Sequence, residues 1–347
     1  MLTRSKAGVM LNLDPRFYVD PAIYDRERTE LFAGTWQLLG PVSQVKERGE
    51  YCAVEIAGHK VFAIRGKDGR LRGFRNLCRH RGARLLEEGN GRCPTIRCPY
   101  HQWVWADDGR LMNVPWFGED ADFKLTDWRL TEIPVAEWRG LLFIAIEPKV
   151  TLEQQLADVL GELADEPIET YTPMRRERMV FDANWKIYTD NFVEGYHIPG
   201  IHPQFFAAID FEQFKTTAHD GLIRMTAPPR DGLFYRGKWL WMWPNWTLSL
   251  FDGGMNTSRI NPLGPDRTEL VYHFYFADTS AAKAKERDDL VARNLAIVRE
   301  DFEICLETHK NYASGAYSPG PLSPRHEAGV AYFQDRIRHS LGLPQLS

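Results

Sequence analysis

Residues 78–101 read CRHRGARLLEEGNGRCPTIRCPYH, and this stretch decides the fold. It holds Cys78-Arg-His80 and Cys98-Pro-Tyr-His101, with seventeen residues between His80 and Cys98. Two thiolates and two imidazoles in two tight pairs suit either Zn²⁺ or a [2Fe–2S] cluster with mixed ligands. A zinc finger usually pairs Cys with Cys and His with His. Here each loop supplies one of each, which favours a cluster with Cys78 and Cys98 on one iron and His80 and His101 on the other. Exchanging two thiolates for neutral imidazoles removes negative charge and raises the reduction potential. It also leaves imidazole edges at the surface, where an electron can pass. Gly82 is expected to let the backbone fold close to these ligands. Pro99, Tyr100, Trp103 and Trp105 are expected to cover them from water, and Cys93 reads as an ordinary buried thiol. The five cysteines are too few and too scattered for a disulfide scaffold.

On either side the texture is that of an all-β domain. YCAVEIAG, KVFAIRG and RGLLFIAIE are short alternating runs divided by turn residues, as in antiparallel hairpins. The predicted organisation is an N-terminal segment over residues 1–35, packing on the catalytic part, a cluster domain over 36–147 and a second domain over 148–347. Before the cluster domain, Pro21 can open a short helix with Tyr24, Leu31 and Phe32 on its apolar face. After it, Leu152, Leu156, Val159, Leu160 and Leu163 fit one helical face. MRRERMVFDA, GLIRMTA, WLWMWP, NWTLSLF and TELVYHFYFAD read as strands, residues 281–311 as a long helix and about 325–341 as a last one.

The second domain carries DNFVEGYHIPGIH at residues 190–202. The preceding residues read as helical, so Glu194 and His197, three apart, fall on one face. Pro199-Gly200 breaks the pattern, and His202 can fold back beside His197. Two neutral imidazoles and one carboxylate make the facial triad of mononuclear Fe(II), with positions open for oxygen and substrate. The acid need not be local. Asp301, in VREDFEIC, lies close to the apolar face formed by Val298, Phe302 and Cys305 and should look inward; Glu300 is its neighbouring rival and Asp190 the local one.

The chain has 347 residues and a net charge of −4, so roughly two domains are expected. With 44% hydrophobic and 12% aromatic residues, a sizeable core is expected. Interspersed charge without a basic patch excludes a nucleic-acid or anionic-membrane binder. No run reaches the roughly 18 apolar residues of a membrane span, and a cytoplasmic protein is expected.

Together the two motifs, in this order and about a hundred residues apart, resemble the α subunit of Rieske non-haem iron oxygenases. The resemblance runs from Trp36 to about Phe333. It implies an α+β fold: a Rieske antiparallel β-domain, then a helix-grip (START-like) catalytic domain with an antiparallel sheet and long C-terminal helices. It implies that Cys78, His80, Cys98 and His101 hold the [2Fe–2S] cluster, and that His197, His202 and Asp301 hold the catalytic iron. Asn191 matches a family asparagine near the iron, and Asp190 beside it is a further catalytic candidate. The acid three residues before the first iron histidine, Glu194, would bridge His101 of a neighbouring subunit to His197 in a head-to-tail homotrimer. Most of the family has aspartate there, so one methylene must be absorbed; the family's usual Gly after the second cluster histidine is Gln102.

The glutamate and the tail CLETHKNYASGAYSPGPLSPRHEAGVAYF look most like the branch oxidising choline, betaines and carnitine; other branches hydroxylate aromatic rings. An external NAD(P)H-dependent flavin/iron–sulfur reductase, with or without a ferredoxin, is implied, in keeping with the lack of a G-x-G-x-x-G after a strand. The expected activity is hydroxylation of a C–H bond of a small molecule, with N-methyl or quaternary amines ahead of aromatic rings. An electron carrier without chemistry of its own would leave His197, His202 and Asp301 unexplained. Tyr235, Trp239, Trp241, Trp243 and Trp246 could hold a quaternary ammonium by cation–π attraction, although filling the sheet's core is the expectation for most of them. Arg224, Arg236 and Arg259 are candidates for a substrate carboxylate.

Overall fold

The computed structural model describes residues 9–230 and 234–342. The chain divides into two compact units, one formed by Phe32–Leu152 and the other by the chain before and after it.

In the unit Phe32–Leu152 the alternating runs form strands. Glu50–Ile56 and His59–Arg65 pair antiparallel across a two-residue turn. Ala57 and Gly58 occupy that turn at φ 45° and 83°, the left-handed pair that a tight hairpin requires. These strands sit in a five-stranded sheet ordered Gly89–Arg92, Glu50–Ile56, His59–Arg65, Leu71–Arg75, Glu132–Ile133. A three-stranded sheet of Ile96–Arg97, Val104–Trp105 and Leu111–Asn113 carries the second Cys/His loop. Phe62, Phe74, Ile96, Trp103 and Trp105 form one apolar core that includes both Cys78 and Cys98. The two thiols are thus anchored in the packed interior.

The other unit is built on a seven-stranded antiparallel sheet. Its order is Thr172–Phe181, Arg267–Phe276, Gly254–Gly264, Trp246–Phe251, Tyr235–Met242, Leu222–Thr226, Lys215–His219. The helix Ala284–Ala313 buries Leu290, Val291, Asn294, Leu295, Val298, Asp301 and Cys305, a stripe of 3.6-residue period. It is preceded by a 3₁₀ turn at Ala281–Lys283, and the last helix covers Ala328–Ser340. The N-terminal part of this unit is tied in by charge. Glu27, fully buried, lies 2.6 Å from the equally buried Lys186 Nζ and accepts the Trp185 indole N–H at 2.8 Å. Burial pulls the lysine pKa down, and the Glu27 carboxylate opposes it.

Three elements differ from expectation. The helix predicted after residue 148 is broken into Leu152–Gln155 and Ala157–Glu162, with Leu156 outside the helical region at φ −95°, ψ 7°. Leu152, Leu156, Val159 and Leu163 are buried all the same, so the apolar spacing survives the break. The strand Gly254–Gly264 was concealed by its composition. GMNTSRINPLG carries Asn256, Thr257, Ser258, Arg259 and Asn261, all buried in the middle of the sheet. Such residues normally mark a surface; here they meet partners such as the Thr247 hydroxyl, 2.6 Å from that of Ser258. The polar edge strand Lys215–His219 was missed for the same reason. Among the described residues no helix is long and apolar enough to cross a membrane.

Candidate metal centres

The two Cys/His loops are built alike. The Cys78 N–H donates to the Ala83 carbonyl (2.8 Å) and the Gly82 N–H to the Cys78 carbonyl (2.9 Å). In the second loop the Cys98 N–H donates to Trp103 (2.8 Å) and the Gln102 N–H to Cys98 (3.1 Å). Each loop turns through one left-handed residue, Gly82 at φ 73° and Gln102 at φ 60°. Gly82 is therefore needed for its dihedral and not for close approach, because a Cβ there would meet nothing within 4 Å. Gln102 adopts the same region with a side chain, at a cost of roughly 1–2 kcal/mol.

Cys78 and Cys98 are each 1% exposed, whereas His80 stands at the surface and His101 is half-buried. The two imidazoles lie 4.6 Å apart, centre to centre, and His80 stacks on Trp103 at 4.5 Å. Burial, then the charges of His101 and Arg81, holds the His80 pKa below its ordinary value. The Cys78 thiol is pushed up by burial and by the adjacent Cys98. Trp103 and Trp105 are buried as covers, but Tyr100 is 54% exposed. Its ring lies 3.7 Å from that of His101, with the Arg81 guanidinium 5.2 Å above it, so it shields only the outer edge. Cys93 is half-buried, its thiol pushed up to about 11 by burial and by Asp107.

The donor atoms of the two Cys/His loops do not converge on one point, which argues against a single tetrahedral ion. Zn–S and Zn–N bonds of about 2.0–2.3 Å would draw all four donor atoms to within roughly 4 Å of one another. Among the described residues, three donor atoms within 4.8 Å of one another occur at His197, His202 and Asp301 and not in the Cys/His loops. Two thiols on one side and two imidazoles on the other fit the two irons of a mixed-ligand cluster.

The second centre is assembled from two helices and a turn. The helix expected to carry both Glu194 and His197 ends at Phe192, so they do not share a helical face. Val193, Glu194 and Gly195 are non-helical, and a Cβ on Gly195 would stand 2.6 Å from the Phe214 ring. Glycine here lets the Phe214 ring lie directly against the chain. Glu194 folds back over this turn. Its Oε2 accepts the backbone N–H groups of Tyr196 and His197, and its Oε1 lies 2.5 Å from His197 Nδ1. Pro199-Gly200 does not break the structure but lies within a short helix, Ile198–Ile201, and His202 follows directly.

Asp301 Oδ1 lies 2.9 Å from His202 Nε2 and 3.8 Å from His197 Nε2. It is buried and takes no aligned hydrogen bond. Three donor atoms thus converge without spending their lone pairs on one another, as one ion requires. Glu300 is not a member of that set: it accepts from His202 Nδ1 at 2.6 Å, the mirror of what Glu194 does for His197. Both Nε2 atoms are thereby left to face the centre. Burial pulls the His202 pKa down, but Asp301 and Glu300 outweigh it and the net shift is upward.

Asp190, the local alternative acid, is placed apart from the donors. It faces a polar cavity of about 180 Å³ that Asn12, Thr308, Tyr312 and Glu327 also line. Its Oδ2 accepts from the Tyr18 hydroxyl (2.6 Å) and the Gln334 amide (3.1 Å). Burial raises its pKa from 3.8 to about 7, against those hydrogen bonds and the charge of Lys186. The folded protein therefore holds this proton more tightly than the unfolded chain, and stability falls as pH rises from about 4 to 7. Asp190→Asn, which keeps an acceptor for Tyr18, is expected to remove that loss. Denaturant unfolding should show equal stability near pH 4 and a variant more stable at pH 8, by at most about 4 kcal/mol. Parallel pH profiles would refute it.

Asn191 lines both this cavity and a second, largely apolar pocket that contains His197, His202 and Asp301. Tyr235 and Trp239 line the pocket, whereas Trp241 and Trp246 are fully buried core. Phe205, Tyr235 and Trp239 meet edge-to-face, 5.4–6.3 Å apart between centres, and Phe205 reaches to 6.4 Å from His202. Arg224, Arg236 and Arg259 are not among the lining residues. Arg236 pairs with Glu166 at 2.8 Å, Arg224 lies 3.4 Å from Glu162, and Arg259 is buried in the sheet. Sequence reasoning missed Phe205, Asn256 and Asn294 as pocket residues; for Asn294 a signal existed, seven residues or two helical turns before Asp301.

Comparison with known proteins agrees with this geometry. Residues 35–129 match the Rieske [2Fe-2S] domain, and residues 168–342 match the ring hydroxylating alpha subunit (catalytic domain). The chain is 26% identical over 340 residues to the chloroplastic choline monooxygenase of Amaranthus tricolor, covering 94% of this chain and 76% of that protein. It is 28% identical over 345 residues to the carnitine monooxygenase oxygenase subunit of Escherichia coli K12, covering 93% and 91%. The crystal structure of the quaternary ammonium Rieske monooxygenase CntA with L-carnitine superposes with a TM-score of 0.84 at 26% identity, over 96% of each chain. Half of the sequence falls in the alpha-subunit catalytic domain, so the chain belongs to the ring-hydroxylating alpha-subunit family, the Rieske-type iron oxygenases that carry a [2Fe–2S] cluster and a mononuclear iron.

Proposed function

We propose that this protein is the terminal oxygenase of a multicomponent system that hydroxylates a C–H bond next to nitrogen in a small N-methyl or quaternary amine, leading to demethylation or C–N cleavage. The observation that carries this reading is the aromatic corner of Phe205, Tyr235 and Trp239 beside His202. Each ring face that such a corner turns to the pocket would attract a quaternary ammonium by about 0.5–2 kcal/mol. With iron held by His197, His202 and Asp301, the lining carboxylates of Glu194 and Asp301 would offset its charge, so the described lining presents no excess positive charge to a cationic substrate.

Cys78, His80, Cys98 and His101 would hold the cluster, and His197, His202 and Asp301 the mononuclear iron. When bound, the cluster supplies electrons one at a time and the iron activates dioxygen. The chain's own residues do the rest. Glu194 and Glu300 each hold an imidazole by its Nδ1–H, which fixes the tautomer and aims Nε2 inward. Glu194, with its carboxylate anchored on two backbone N–H groups, is assigned the link between His197 and His101 of a neighbouring subunit in a homotrimer. Asn191, between the two cavities, is assigned the edge of the iron pocket. The apolar wall excludes water from the reacting carbon. The electron donor is a separate NAD(P)H-dependent flavin/iron–sulfur reductase, and the cytoplasm is the proposed location.

The test is turnover by the reconstituted system on a panel of quaternary amines, tertiary amines and aromatic acids, following NADH and O₂ consumption with product identification. Coupled consumption is expected with one or more amines. Coupled oxidation of the aromatic acids alone would overturn the reading.

A further inference from the structure

Two amides in the iron pocket have unmet polar atoms. Asn256, 1% exposed, comes from the strand Gly254–Gly264, and its Nδ2 lies by the Tyr235 hydroxyl without an aligned hydrogen bond. Asn294, 3% exposed, lies on the buried face of the long helix, and its Oδ1 has none either. Asn294 Nδ2 donates to the Tyr235 hydroxyl, so one edge of that amide is fixed and the other is left over. Both side chains line the pocket that holds the three metal donors. Buried donors and acceptors are rarely left unmet, and leaving one so is costly. An unmet pair of opposite polarity, one donor and one acceptor, marks a place for a ligand group that can both accept and donate.

The positions agree with such a ligand. Asn294 stands seven residues before Asp301, about 10 Å along the same helical stripe. Tyr235 belongs to the aromatic corner and is also the hydrogen-bond partner of Asn294. A cation seated in that corner therefore has Asn294 against its Tyr235 wall and His202 near its Phe205 wall. The chemistry of the amides narrows the group. A hydroxyl donates to the Asn294 carbonyl oxygen and accepts from the Asn256 N–H. A carboxylate accepts only, so it would satisfy Asn256 and oppose Asn294. Among the described lining residues there is no Lys or Arg to neutralise it.

We infer that Asn256 and Asn294 form a neutral amide clamp that selects a quaternary ammonium alcohol over an ammonium carboxylate of the same size. This rests on the amine-oxygenase reading and names its substrate class. The clamp is a specificity device at the end of the substrate away from the reacting carbon.

The test is calorimetric titration of the full chain, loaded with cluster and iron, using three trimethylammonium probes that differ at one end. They are the 2-hydroxyethyl (choline), ethyl and carboxymethyl (glycine betaine) compounds. The hydroxyethyl compound is expected to bind at least about tenfold more tightly than the other two. In Asn294→Leu, and separately in Asn256→Leu, its advantage over the ethyl compound should fall to about threefold or less. Cluster absorbance and far-ultraviolet circular dichroism check that each variant is folded. Equal binding of all three compounds would overturn the clamp while leaving the amine reading intact. So would tighter binding of the carboxylate, or a hydroxyl preference that survives in both variants because water alone satisfies the amides. Failure of all three compounds to bind would remove both the clamp and the reading beneath it.

Discussion

Asp301→Ala is expected to yield a brown protein that keeps its iron–sulfur absorption but loses oxygenation. The variant removes one of three donor atoms around the point faced by His197 Nε2 and His202 Nε2. Two imidazoles alone bind ferrous iron weakly, because the remaining positions fall to water. Partners one step removed from a metal already cost about 10–100-fold when lost, so losing a donor should cost roughly 10³-fold or more in turnover. Iron analysis should fall from about three to about two per chain, since the cluster's two irons are held elsewhere. Cavity creation cannot mimic this result, because Asp301→Asn preserves the volume and should show the same iron loss in milder form. Full activity with two irons per chain would mean that the catalytic centre has been misplaced.

The second large effect is expected at Glu194. Its carboxylate has three partners: His197 Nδ1 and the N–H groups of Tyr196 and His197. Glutamine matches the shape but replaces one oxygen by an N–H₂ group, which must face either the imidazole or the two backbone donors. In one orientation the His197 tautomer is no longer held; in the other, the turn carrying His197 is opened. Glu194→Gln should keep cluster and iron in full stoichiometry while turnover falls about 10–100-fold. The diagnostic measurement is single-turnover reoxidation of a pre-reduced cluster in the presence of substrate and oxygen. It should slow in parallel with turnover, whereas reduction of the cluster by the reductase should be unaffected. Glu194→Asp, which restores the charge but not the reach, should recover only part of the loss. Normal reoxidation in the glutamine variant would remove Glu194 from the path between the two centres.

Much of this was legible in the linear chain, for a physical reason. Metal donors must be of particular chemical types and, where a tight loop supplies them, at particular short spacings. Cys78/His80 and Cys98/His101 are therefore a local pattern, and so is the pair His197/His202. The long helix and most strands were legible because burial of one face leaves a period of 3.6 or 2 in the sequence. What composition concealed was the strand Gly254–Gly264, which lies in the middle of the sheet with its polar side chains buried and Asn256 lining the pocket.

The roles of the acids could not be separated along the chain. Glu300 and Asp301 are adjacent, and only their directions differ: one carboxylate reaches His202 Nδ1 and the other meets the two Nε2 atoms. Asp190 and Glu194 share a segment, yet one is fixed by Tyr18 and Gln334 and the other by the turn before His197. The amino-acid sequence by itself determined which elements could bind metal and how the chain divides its periodic segments. Tertiary structure decided which acid joins the two imidazoles, which aromatic residues line the pocket and which amides share it, because those are properties of direction and burial set by contacts between distant residues.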